Sequence, residues 1–165
     1  MAKERESLTK LYTETIQDLW SAEEQILEAL PKMAKAAKHP ELKRGFQEHY
    51  QQTEQQVQRL QQIFDELGEK PGKKTCEGME GLIKEGEEAI EEFTDSDVLD
   101  AALIEAAQKV EHYEMAGYGC ARTYAHMLGL GNQADLLQRT LDEEGDTDQK
   151  LTDLAESVIN IDALK

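Results

Sequence analysis

Aromatic residues are scarce in this chain, with one Trp, five Tyr and three Phe, and there are only three prolines. Ala, Leu, Glu, Gln and Lys, which lose least on entering a helix, are plentiful instead. The composition reads as all-α, with no strand signal. Two cysteines, Cys76 and Cys120, make neither a disulfide framework nor a Cys-x-x-Cys pair, and suit free thiols in a reducing cytosol. No apolar run approaches the ~20 residues needed to span a bilayer, and the charged stretch Met1 to Glu6 has no signal-peptide core. A cytoplasmic location without membrane insertion is expected. Basic residues are also short: Lys and Arg total 18 against 35 Asp and Glu, a formal net charge of −17. Such a surface repels phosphate backbones and anionic lipid heads, which excludes nucleic acid and membrane as partners. Hydrolase signatures are missing as well, since there is no Gly-rich phosphate loop and no Ser-centred elbow.

What is present is helical periodicity over a length of 165 residues, which one core can serve as a single domain, residues 1–165. Leu8, Leu11, Tyr12, Leu19, Ile26 and Leu30 recur at threes and fours, predicting a first helix to about Ala37. Pro31 lies inside it and is expected to bend or loosen it. His39-Pro40 reads as a new start, and Leu42, Phe46, Val57, Leu60 and Phe64 mark a second helix ending at Gly68. Between Gly68 and Asp97 the connection is too long for a hairpin turn and holds a short helical stretch near Thr75 to Phe93. A third helix is expected from Ser96 or Asp97, with Leu99, Leu103, Ala107, Val110 and Ala121 on its apolar face, to the Gly129-x-Gly131 stop. The fourth opens with Asn132 as N-cap and carries Leu137, Leu141, Leu151, Ala155 and Val158. Two helix pairs joined by one long crossover form a four-helix bundle of the ferritin-like type.

Several acids fall on faces that should be buried. At 100° per residue Glu23 lies within about 40° of Leu19 and between Ala22 and Ile26, while Glu24 points outward. Glu114 continues the stripe of Ala107 and Val110, with Glu111 at its edge and His112 pointing away. Glu144 and Asp148 interrupt the core stripe between Leu141 and Leu151. On the second helix His49, Thr53 and Gln56 align with Phe46 and Leu60, and Glu54 sits at the stripe edge. A buried carboxylate without partners usually protonates, so several in one core require cations, hydrogen bonds or metal. Di-iron and di-manganese bundles supply that compensation with Glu and His drawn from all four helices, and Glu, His and Asp suit Fe and Mn. The alternative is that these acids pair with buried Lys or Arg, or lie on polar seams between helices.

Tyr12 to Leu30 with Ser21-Ala22-Glu23, His49 to Leu60, Asp100 to Ile104 and Gln108-Lys109-Val110-Glu111-His112-Tyr113-Glu114 together resemble the YciF/YciE family of ferritin-like, rubrerythrin-related bacterial stress proteins. Cys76 to Ile83 in the crossover and Thr140-Leu141-x-Glu143-Glu144 resemble it too. The resemblance spans nearly the whole chain. It implies a homodimeric bundle with a di-metal site of iron or manganese, in which Glu23, Glu111, Glu114 and Glu144 are the acids of the first, third and fourth helices. Asp148 stands where rubrerythrin-like sites often place a His. One departure concerns charge: the family tends to carry Glu just before the Thr that here is Thr53, and this chain has Gln52. Loss of that carboxylate weakens a two-metal site unless Glu54 substitutes, and leaves a single-metal or vacant site open.

Two functions are therefore carried forward. In the first, Glu23, His49, Glu54, Glu111, Glu114, Glu144 and Asp148 hold iron or manganese that reacts with oxygen or peroxide, with no catalytic residue assigned. In the second, the chain is a non-catalytic stress or scaffold dimer with a degenerate or empty site. Iron storage ranks last, since it requires a many-subunit cage. Tyr113, Tyr118 and Tyr124 are read as packing residues with satisfied hydroxyls. Met79, Met115 and Met127 are read as core fillers, and Trp20 as packed between helices or at a dimer contact.

Overall fold

A computed structural model describes residues 2–165. Five helices carry the fold: α1 Ala2–Ala36, α2 Pro40–Leu67, α3 Glu77–Phe93, α4 Leu99–Leu128 and α5 Gly131–Leu154. The last continues through a π-helical turn, Ala155–Ile159, into the short α6, Asn160–Asp162. No strand occurs among the described residues, and none of their helices is long and apolar enough to cross a membrane.

The boundaries follow local chemistry. His39 caps α2, its Nδ1 accepting the Glu41 N–H at 3.3 Å, and Pro40 takes the first helical position, where its missing N–H costs nothing. Gly68 ends α2 and Gly129 ends α4 in the left-handed region, at φ 68° and 79°, where a side chain would be strained. Helix α1 runs unbroken through the exposed Pro31. Two expected starts shift. Val98 caps α4, with Ser96 Oγ accepting its N–H at 3.3 Å. Leu130 rather than Asn132 precedes α5, because the Gly129 cap turns the chain so tightly that the Leu130 carbonyl already accepts the first helical bond, from Ala134. The Asn132 amide instead reaches across to Glu66 at 2.6 Å.

Helix α1 packs on α2 and α4 on α5, while α3 lies against α4 and α1. The apolar core is divided into two clusters. One gathers Ile26, Leu30, Leu42, Phe46, Leu103 and Leu151 with Met79 of α3; the other gathers Tyr12, Ile16, Leu60, Phe64, Tyr118 and Leu137. Trp20 packs edge-on against Phe64, ring centroids 5.8 Å apart. Two apolar residues expected inside are outside: Leu11 is 45% exposed and Met127 71%, because each lies on the solvent side of the helix whose neighbours Tyr12 and Leu128 take the buried positions. On every long helix the two clusters are separated at the same level by polar residues: Glu23, then His49, Thr53 and Gln56, then Glu111 and Glu114, then Thr140 and Glu144, all buried.

Candidate metal centre

The polar level results from four helices whose stripes are each interrupted for one or two turns. Glu23 projects between Leu19 and Ile26, His49 between Phe46 and Leu60, Glu111 and Glu114 between Ala107 and Tyr118, and Glu144 between Leu137 and Leu151. The i, i+3 spacing of Glu111 and Glu114 puts both on one face of α4. His49, Glu111, Glu114 and Glu144 each present a ligand atom, and these atoms all lie within 4.8 Å of one another. His49 Nε2 stands 3.3 Å from Glu111 Oε1 and 3.9 Å from Glu144 Oε2.

Few protein groups answer these charges. The Tyr118 hydroxyl donates to Glu23 Oε1, and the Gln56 amide donates to Glu144 Oε1 and, at 3.1 Å, to Glu143. Arg59 forks onto both oxygens of Glu143 at 2.6 Å and also donates to the Thr140 hydroxyl. Glu143 therefore consumes the guanidinium, although its charge still reaches Glu23. One oxygen each of Glu23, Glu111 and Glu144, both oxygens of Glu114 and both ring nitrogens of His49 have no hydrogen-bond partner among the described residues. Unpaired buried carboxylates resist ionisation. Burial, reinforced by the Glu144 charge, holds Glu23 and Glu111 well above the ordinary carboxylate range; burial and the Glu23 charge do the same to Glu114. Burial and then Glu23 push the Tyr118 phenol far up.

Another buried acid supplies the contrast. Asp100, 7% exposed, accepts the backbone N–H groups of Lys38 and His39 at 2.8 and 2.7 Å, so it caps the α1–α2 turn and is fully employed. The acids at the polar level are not.

Two residues expected at the site lie apart from this cluster. Glu54 is exposed on α2, because the helix turns Thr53 and Gln56 inward and Glu54 with Gln55 outward. Asp148, half-buried, is bound by Gln108 at 3.0 Å and approached by the exposed His112 at 3.3 Å. It stands at the edge, where its charge adds a minor push to Glu111. Gln56, Tyr118 and Arg59 also belong to the site, although the sequence marks Gln56 only as a polar position on the core stripe, Tyr118 only as a packing residue with a satisfied hydroxyl, and Arg59 not at all. Each follows an expected site residue or another of these at helical spacing, Gln56 two turns after His49, Tyr118 one turn after Glu114 and Arg59 one turn after Gln56, which is the signal that could have found them.

The donor set, one imidazole with four carboxylates in a water-poor core, fits a transition metal. Its unpartnered oxygens and nitrogens are the atoms an ion would use. Four carboxylates, Glu23, Glu111, Glu114 and Glu144, carry the charge that two divalent ions would neutralise.

Residues 7–164 match the family described as Domain of unknown function, DUF892. The Escherichia coli (strain K12) protein YciF is 43% identical over 155 residues, 93% of each chain. A crystal structure described as that of the E. coli stress protein YciF superposes with a TM-score of 0.89 at 44% identity, covering 93% of this chain and 97% of that one. A Rhodopseudomonas palustris protein, YcfI, superposes with a TM-score of 0.85 at 40% identity, covering 88% and 92%. On the family match over nearly its whole length, the chain belongs to the DUF892 family, with the YciF fold.

Proposed function

We propose that this chain is a cytoplasmic, ferritin-like stress-response protein whose core binds two iron or manganese ions between α1, α2, α4 and α5. His49, Glu111, Glu114 and Glu144 would hold them, with Glu23 completing the set beside Glu114. The observation that carries the reading is the convergence of four buried carboxylates and one imidazole whose remaining polar atoms find no protein partner. A cluster of that charge costs several kcal/mol per ion unless cations enter it.

Bound iron or manganese would supply one-electron redox chemistry toward oxygen or peroxide. The chain's own residues set the conditions. Tyr118 fixes one oxygen of Glu23 and Gln56 fixes one oxygen of Glu144, so each carboxylate presents its other oxygen to the centre. The two apolar clusters shield the polar level from water above and below. Imidazole and carboxylate donors favour iron or manganese over metals that prefer thiolate.

Gln56 also favours a second reading, a non-catalytic scaffold dimer, because its amide already occupies part of Glu144, while Gln52 lacks the family's carboxylate. Anaerobic loading with ferrous iron followed by hydrogen peroxide separates the two. A stoichiometric near-ultraviolet band that appears with peroxide supports the metal reading. Unchanged spectra with iron bound at the surface only would leave the scaffold. Sedimentation equilibrium tests the homodimer that both readings share.

A further inference from the structure

Beside the polar level lies a cavity of about 300 Å³ that all five helices line. Its walls are mainly apolar, among them Ile26, Leu42, Phe46, Ile83, Val110 and Leu151, while His49 and Glu111 close its inner end. At about 30 Å³ per non-hydrogen atom, the volume suits a molecule of about ten such atoms. It is too narrow for a helix from another chain, whose diameter is about 10 Å.

The openings carry both signs of charge. Lys32, paired to Glu87 at 2.6 Å, borders the side between α1 and α3; Arg44, Glu48 and Lys150 border the side between α2 and α5. Neither opening selects an anion, and the buried residues at the inner end, His49 and Glu111, add no lysine or arginine to hold one. What the inner end offers is a polar side: His49 and Glu111 line the cavity among mainly apolar neighbours, and a carboxyl oxygen accepts a hydrogen bond. Helix α3 leaves room for the guest. Gly86 is buried on the wall, and a methyl group there would meet only the Ala106 methyl, at an ordinary 3.6 Å. Close packing of α3 therefore does not require a glycine.

We infer that this cavity is a binding site for a neutral, medium-length alkyl molecule ending in an O–H group, whose chain lies among the apolar walls and whose hydroxyl donates to Glu111. Occupation does not depend on a bound metal, whereas use of the cavity as a substrate pocket rests on the metal-site reading. An alcohol and an organic hydroperoxide share the recognised chemistry, and the cavity places either one's oxygen beside His49 and Glu111.

The test is calorimetric titration of metal-free protein with n-octanol, repeated on Gly86→Ala and Gly86→Leu. Both substitutions replace glycine by better helix formers, and circular dichroism checks that each variant is folded. The expected result is one saturable site per chain, weakened slightly by Gly86→Ala and at least about tenfold by Gly86→Leu. No saturable binding to the parent, or equal affinity in parent and Gly86→Leu, would overturn the inference. Titration of the same samples with manganous ion reads the metal centre separately. Metal uptake without octanol binding removes the cavity proposal alone; octanol binding without metal uptake removes only the metal reading.

Discussion

The Tyr118 hydroxyl donates a hydrogen bond to Glu23 Oε1 across the α1–α4 interface, with both side chains fully buried. Removing it takes away the hydroxyl donor of Glu23, whose other oxygen meets no protein donor among the described residues. Tyr118→Phe is expected to destabilise the metal-free protein by about 1–3 kcal/mol, measured by urea unfolding. It also frees the Glu23 carboxylate to rotate, so metal affinity should fall about tenfold or more. Unchanged stability and affinity would mean that the tyrosine only fills space.

Asp100 and the acids of the polar level should respond differently to removal. Asp100→Ala strands the Lys38 and His39 N–H groups that its two oxygens accept, and is expected to cost about 1.5–3 kcal/mol with or without metal. Glu114→Ala removes a carboxyl group that no protein donor answers and whose ionisation burial opposes, and should cost the metal-free protein less than Asp100→Ala does. Thermal melting of the two variants, without metal, checks the contrast.

The fold was largely legible from the sequence. Apolar residues at threes and fours, His39-Pro40, Gly68 and Gly129 place the helices to within a few residues. The interruptions of the stripe by Glu23, Glu114 and Glu144 identify three buried acids, because a helix wheel reports direction directly. Asn132 misled because cap preference is a local tendency, and the Gly129 turn had already begun the helix. Glu54 misled because a wheel drawn for one helix does not fix which edge faces the bundle axis. The Tyr118–Glu23 and Gln56–Glu144 bonds could not be read at all, since they join residues 95 and 88 positions apart.

Stability should depend on pH in opposite senses with and without metal. Glu23, Glu111 and Glu114 titrate in the folded protein well above their ordinary value of 4.5. Between those two ranges the folded state binds more protons than the unfolded chain. The stabilising contribution of these groups is therefore fully present below the unfolded value and lost as pH rises through the folded ones. Metal-free protein should melt at a lower temperature near pH 8 than near about pH 5.5 as far as these groups decide it. Ions need deprotonated ligands, so loading with manganese should reverse the slope and release protons into a weakly buffered solution. Calorimetry in two buffers of different ionisation enthalpy measures that release; none on metal uptake would contradict the assignment.

Gln56 offers a gain-of-charge test. Its amide donates to both Glu143 and Glu144, so Gln56→Glu replaces a donor by a further carboxylate. The metal-free variant is expected to lose about 1–3 kcal/mol. Saturating manganese should recover most of the loss if the position faces the ions, since ligands bound to the folded state stabilise it by mass action. A loss that persists with metal would place the ions away from α2.

The most direct measurement is metal content per chain by elemental analysis after loading with ferrous iron and desalting, comparing the parent with a Glu114→Ala, Glu144→Ala double variant. About two equivalents in the parent, with most of the metal lost in a folded double variant, is the expected result. A parent that retains no metal and melts unchanged after chelator treatment, or a double variant that retains as much metal as the parent, would contradict a metal centre among Glu23, His49, Glu111, Glu114 and Glu144.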